Sequence, residues 1–386
     1  MTKVAYLFGA GASHAEIKYL NRACRGILMD DFVGDIPSQL DDDKPDFKQI
    51  INILALDNQR KKIDIEQIIT LYEHDVAKKH HKVSHELRRL FRKEITTRIN
   101  QVVCPEKNGA NCSFHTSLLS VLFDMHKLDE LDETICAVLT TNYDDLIERA
   151  LQNVYGGFDY RFEIVNKSAT PRFTINSAMP LLKLHGSFNW VGEYPIELKE
   201  PSTTQEDHNL DDPIIWAPPG TNKNKSDYPF SSLWNTAREI LKCDVLRIIG
   251  CSLNRNDWQL ITLIHDAQKM RNVSNLKIEL LDYPKQAYHL YISLPFLNID
   301  YIPFEDYFSS YCADLLSIDS LCHRTWVDYS DLERDKLFQT IQPTSVSNIF
   351  QEWLTAKGLY LRNTKKIPLN TEKNLFKQYL ENEDSR

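Results

Sequence analysis

Glycine is scarce in this chain, 12 of 386 residues, against an average usage of about 7%. Wherever two glycines fall close together, a backbone requirement therefore explains them better than chance. The eight cysteines (Cys24, Cys104, Cys112, Cys136, Cys243, Cys251, Cys312 and Cys322) include no C-x-x-C pair, which leaves a zinc ribbon without its ligands. No stretch approaches the roughly 18 apolar residues of a membrane span, and the apolar run Val4–Phe8 is too short for a signal-peptide core. There is no G-x-x-x-x-G-K-[ST], so ATP hydrolysis in the P-loop manner is unsupported. Positive charge is also in deficit: 45 Lys and Arg stand against 54 Asp and Glu, a net charge of −9. That balance argues against a general grip on nucleic acid, which needs a basic stripe. These absences lead to the expectation of a soluble protein of the reducing cytoplasm. Its thiols should be free, with no bound metal, no membrane contact and no direct sequence-specific binding of nucleic acid.

Enough apolar residues are present, 42% of the chain, to bury a sizeable core. The length suits two or three domains, or one large domain with an insertion. Gly9 and Gly11 follow Val4-Ala5-Tyr6-Leu7-Phe8, a continuous apolar run of the kind shown by a strand buried on both faces, and precede a helical stretch, Ala12–Leu20. From about residue 30 to about 130 the chain turns polar and helical: Ile65, Ile68, Ile69 and Tyr72, then Leu87, Leu90, Phe91, Ile95 and Ile99, recur at helix spacing. An inserted helical subdomain is expected there. Further on, strands are expected over Ile135–Leu139, Pro180–Leu184, Asp244–Ile249 and Leu276–Leu281. Helices are expected over Asp145–Leu151, Leu233–Leu241 and Asp257–Met270. The proline-rich stretch 193–229 reads as a long excursion or lid loop. Residues 291–386, rich in aromatics, read as a C-terminal extension for packing or oligomerisation.

Strands alternating with helices call for an α/β fold: a Rossmann-like parallel sheet with helices on both faces. Ligands bind such sheets beyond the carboxyl ends of the strands. The polar clusters Gly9–Ser13, Thr140–Asp144, His185–Ser187, Gly250–Asn256 and Asp282 all fall at those ends. Separate turns have no reason to be similarly polar unless they face one site. Gly9-Ala10-Gly11-Ala12-Ser13 suits close approach of backbone to a pyrophosphate at a helix N-terminus, although an ordinary tight turn reads the same way. Asn142 can hold a ribose hydroxyl or a water, or serve as a turn residue. Asp144 can cap the following helix, and His185, beside Gly186, suits a general base. His81 and His85, an i, i+4 pair, are surrounded by lysine and arginine and read as a solvated helix face.

Together, Gly9-Ala10-Gly11-Ala12-Ser13, Thr140-Thr141-Asn142-Tyr143-Asp144, Leu184-His185-Gly186 and Gly250-Cys251-Ser252-Leu253 resemble, in order, the motifs of the sirtuin family, and more closely its bacterial sirtuin-like branch. The resemblance covers roughly residues 2–283, less the insertion. It implies a catalytic domain over residues 1–290 that takes NAD as its substrate. By the same resemblance Gly9, Ala10, Gly11, Ala12 and Ser13 contact the pyrophosphate, Asn142 is the catalytic asparagine and His185 the catalytic base. Thr141, Asp144 and Gly186 complete the binding turns, Gly250 and Ser252 face the phosphates and the adenosine ribose, and Asp282 flanks the adenosine half. Protein-deacylating members carry a Cys₄ zinc ribbon and follow the glycine motif with an acidic-Phe-Arg segment. This chain has no C-x-x-C and reads His14-Ala15-Glu16 there. The resemblance thus implies an NAD glycohydrolase, releasing nicotinamide and ADP-ribose, of the kind that depletes NAD in bacterial anti-phage defence. Some such proteins are encoded beside a HerA-like hexameric ATPase, a partner expected here by analogy, and a homo-oligomer is expected on general grounds. The alternatives are a module that senses NAD or ADP-ribose without turnover, and a protein deacylase or ADP-ribosyltransferase.

Overall fold

The computed structural model describes residues 1–20, 118–127, 133–166, 173–191, 195–198, 214–216, 228–253, 257–269, 276–281, 290, 293–302 and 367–368. Within these, β1 (Thr2–Phe8) and α1 (Ala10–Leu20) open the chain, and α2 (Leu118–Lys127) leads into β2 (Glu133–Thr140) and α3 (Leu146–Tyr155). Then come β3 (Phe158–Asp159), β4 (Ile164–Asn166), β5 (Ile175–Lys183), β6 (Gly186–Val191), β7 (Ile196–Leu198) and β8 (Ile214–Trp216). The order closes with α4 (Phe230–Ile240), β9 (Val245–Ile249), α5 (Trp258–Lys269), β10 (Lys277–Leu281), β11 (Ile299–Ile302) and β12 (Ile367–Pro368).

Eight strands form the main sheet in the order β12-β11-β10-β9-β1-β2-β5-β3. All neighbours are parallel except β12, which runs antiparallel to β11. Val4–Phe8 explain why β1 sits at the centre: all five side chains are at most 1% exposed, so an apolar residue is needed on both faces at every position. On one face Phe8 meets Phe123 of α2 edge-on at 6.1 Å. Leu7, pointing the other way, is as deeply buried. This is the expected α/β class, with both faces covered. From β1 the chain adds β2, β5 and β3 to one side, then returns to lay β9 and β10 on the other. That reversal makes the carboxyl ends of β9, β1 and β2 the topological switch point, where open α/β sheets hold their ligands.

One face also buries charge. Arg247 of β9 sends Nη1 to Glu133 Oε2 and Nη2 to Glu133 Oε1 (2.8 and 2.9 Å), and reaches Glu279 Oε2 through Nε and Nη2 (2.9 and 2.8 Å). Its Nη1 also donates to the Tyr6 hydroxyl at 2.8 Å, and that hydroxyl lies 2.7 Å from Nε2 of His126 in α2. Helix α2 is thereby joined to a network that spans four strands, β1, β2, β9 and β10.

Two expectations change. Residues 193–229 are not simply a loop: β7 and β8 lie within that stretch and join β4 and β6 in a second sheet, ordered β4-β7-β6-β8. Helix α1 begins at Ala10 rather than Ala12, because Gly11 and Ala12 amides already find carbonyls there. Of the expected inserted helical subdomain, only Leu118–Lys127 is described, as a helix. The periodic stretches around Ile65 and Leu87, the His81–His85 pair, and nearly all of the extension beyond residue 302 lie outside the described residues.

Candidate functional site

The ends of four adjacent strands are laced together by backbone hydrogen bonds. Gly9 N donates to Ile249 O (3.0 Å) and Gly11 N to Gly250 O (2.9 Å), joining β1 to β9. Thr141 N donates to Phe8 O (3.2 Å) and Leu184 N to Thr140 O (2.9 Å), carrying the connection through β2 to β5. The structure therefore brings Gly9–Ser13, Thr140–Asp144, His185–Gly186 and Gly250–Leu253 to one edge of the sheet. Gly9 is required by space: a Cβ on it would lie 2.5 Å from both Gly250 O and Cys251 Cα. Gly250 and Gly186 turn with φ of 62° and 83°, in the left-handed region that glycine adopts without strain. Ser252 is exposed beside them. Asp282 lies outside the described residues.

Asn142 is buried at the centre of this edge. One hydrogen of its Nδ2 goes to Gly9 O (2.9 Å) and the other to Ser13 Oγ (2.8 Å). Both amide donors are thus engaged by the first turn of α1, which leaves Oδ1 as the atom that a ligand can address. The backbone beneath is held as well: Asn142 N donates to Thr140 Oγ1 at 3.0 Å, and that hydroxyl donates to Phe8 O at 3.0 Å. Ser13 Oγ in turn donates to Asp144 Oδ2 at 2.8 Å, while Asp144 Oδ1 accepts Leu146 N at 3.1 Å at the start of α3. Burial holds the Asp144 carboxyl above the usual carboxylate range, against the opposing charge of Lys183.

Below this layer is a pair that the motifs did not reveal. Lys183, fully buried at the end of β5, donates to the backbone carbonyl of Asp144 and to Glu148 Oε1, the latter at 2.7 Å. Tyr160 donates its hydroxyl to the same Oε1 at 3.0 Å. Burial raises the Glu148 carboxyl and, more strongly, the Tyr160 phenol. Lysine at the end of an apolar strand carries no sequence signal beyond being out of place.

His185 occupies the turn between β5 and β6 and is also buried. Its ring is 6.2 Å from that of Tyr143, which stacks on Phe188 at 5.2 Å. Its Nε2 lies 3.2 Å from Oδ1 of Asp257, the residue just before α5. Asp257 is a second group that sequence reasoning missed. Its only mark is a place at the start of a helix. Among the described residues no cluster of three or more His, Cys, Asp or Glu is placed to hold a metal ion, and no helix is long and apolar enough to cross a membrane.

Fold and site together define an open, mostly parallel α/β protein whose polar turns meet at the switch point of its sheet. Residues 136–286 match the family model described as the SIR2-like domain. That span includes Asn142, His185 and Gly250 but begins after β1, so it is the sheet pairing that adds Gly9–Ser13 to the same edge. Among solved structures, one presented as "Structural Basis for the Mechanism and Regulation of Sir2 Enzymes" aligns at 13% identity over 73% of this chain and 81% of that chain, with a TM-score of 0.32. No curated protein matches the chain.

Proposed function

We propose that this protein is an NAD glycohydrolase. The observation that carries the reading is the state of Asn142: a buried amide at the switch point, with both donors fixed internally and its carbonyl left for a ligand. The SIR2-like match over residues 136–286 supports NAD as that ligand. The turn at Gly9 packs so closely on the Gly250 and Cys251 backbone that a Cβ there has no room, which suits close approach of a pyrophosphate to backbone amides.

In this reading Gly9–Ser13, Thr141, Gly186, Gly250, Ser252 and Asp282 bind the dinucleotide, and Asp144 holds Ser13 and the Thr140–Asp144 turn in place. The bond between nicotinamide and C1′ of the ribose breaks, and its electron pair neutralises the pyridinium nitrogen. A water oxygen bonds to C1′, and the proton released passes to His185. Positive charge develops on the ribose during this step, and Asn142 Oδ1 is the preorganised dipole that faces it. The products are nicotinamide, ADP-ribose and one proton. Uncontrolled, such a reaction empties a cell of NAD, which fits an anti-phage effector kept inactive until infection. A homo-oligomer, and a HerA-like ATPase encoded alongside, are the partners proposed.

The test is NAD turnover by the purified protein, alone and with such an ATPase, following nicotinamide and ADP-ribose by chromatography. Both products should form, and Asn142→Ala and His185→Ala should each abolish them while the circular dichroism spectrum is retained. Binding of NAD without either product would replace the hydrolase with a sensor. Nicotinamide release only in the presence of an acylated peptide would replace it with a deacylase.

A further inference from the structure

The contact between His185 and Asp257 joins distant parts of the chain. His185 follows β5, whereas Asp257 opens α5 after β9, and β1 and β2 lie between those two strands. Three strand spacings of about 4.8 Å put those strands roughly 14 Å apart, yet Nε2 and Oδ1 approach to 3.2 Å. The imidazole is 4% exposed and the carboxylate 15%. A chance surface pair between long, solvated side chains does not look like this. Both partners here are short, and the approach of the α5 start toward the β5 turn spans the Gly9 and Asn142 turns of the same edge. The contact is at ion-pair distance without the alignment of a straight hydrogen bond, a looseness common in catalytic pairs before substrate tightens them.

We infer that Asp257 is the positioning residue of His185: its carboxylate fixes the ring's orientation, keeps the proton of the neutral ring on Nε2, and stabilises the imidazolium formed when His185 takes up a proton. A histidine whose second nitrogen is held by a carboxylate is oriented and made more basic, and loss of such a partner typically costs about 10- to 100-fold in function. The inference rests on the hydrolase reading for its catalytic consequence but not for its geometry, and two readouts separate them.

The first is kcat and KM for NAD in the wild type, Asp257→Ala and Asp257→Glu. Asp257→Ala should lower kcat by about 10- to 100-fold with KM changed less than about twofold. Asp257→Glu should recover part of the loss. An unchanged kcat in Asp257→Ala, or a loss confined to KM, would overturn the inference. The second readout needs no turnover: ring ¹⁵N shifts of labelled histidine, with the His185 signals assigned by their absence in His185→Ala. The wild type should show Nε2 protonated, and Asp257→Ala a mixture of tautomers. An unchanged tautomer in Asp257→Ala overturns the positioning role. A locked tautomer in a wild type that never cleaves NAD upholds it and removes the hydrolase reading alone.

Discussion

Mild acid should destabilise this protein through His126, and the size of the effect follows from its surroundings. The ring is 5% exposed, between the Tyr6 hydroxyl and the carbonyl of Glu133. Burial first, and the Arg247 guanidinium second, pull its pKa from 6.5 down to about 3. In the unfolded chain the ring regains its ordinary value. Below that value the unfolded state takes a proton that the folded state refuses. The stability contributed by neutral His126 is therefore fully present above pH 6.5 and is lost as the pH falls toward 3. At 1.36 kcal/mol per unit the whole shift corresponds to about 5 kcal/mol, and the part lost between about pH 7 and pH 5 is about 2 kcal/mol. The assay is urea unfolding at a series of pH values for the wild type and His126→Gln, whose amide oxygen can still accept from Tyr6 but does not titrate. Contributions of every other group cancel in the difference. The stability difference between the two proteins should shift by about 2 kcal/mol over that range, to the disadvantage of the wild type. A difference constant to within about 0.5 kcal/mol would refute the reasoning, since His126 would then titrate alike in both states.

Other substitutions probe the site's framework. Gly9→Ala would press a methyl against the Gly250 and Cys251 backbone; it should cost about 1–3 kcal/mol in chemical denaturation and suppress the proposed NAD cleavage as the two turns part. Lys183→Met leaves Glu148 buried without its cation and should cost about 3–5 kcal/mol, whereas Lys183→Met with Glu148→Leu should regain most of that loss. If the double variant proves as unstable as the single one, the ion pair is not what the interior requires. Arg247→Met should likewise lower the thermal midpoint steeply, because it strands the two carboxylates of Glu133 and Glu279.

The main sheet was legible in the sequence because its central strands are buried on both faces. Val4–Phe8 and the run ending at Leu139 are apolar without alternation, those ending at Ile249 and Leu281 are apolar but for Arg247, Lys277 and Glu279, and glycine or polar residues stop each one. Expected boundaries fall close to those found: β9 is Val245–Ile249 and α5 is Trp258–Lys269. The second sheet was hidden because its strands β7 and β8 have three residues each, set among prolines and charges, and only their pairing with β4 and β6 defines them. The site was legible as a set of turns, but not as a wiring diagram. Nothing in Thr-Thr-Asn-Tyr-Asp says that both amide hydrogens of Asn142 are taken by Gly9 and Ser13, because those partners come from another strand. Lys183 and Asp257 escaped notice for the same reason: their meaning lies in contacts with Glu148 and His185 that only the folded chain creates.

The turn that bears His185 ends one sheet and begins the other, since β5 belongs to the eight-stranded sheet and β6 to the four-stranded one. Asn142 belongs wholly to the first. The spacing between the two side chains is therefore a joint property of two sheets, and a protein gripping the edge strands β4 or β8 would hold a lever on that spacing while standing clear of the polar turns. Throttling the proposed reaction would need no plug over the turns, only a hand on the flank.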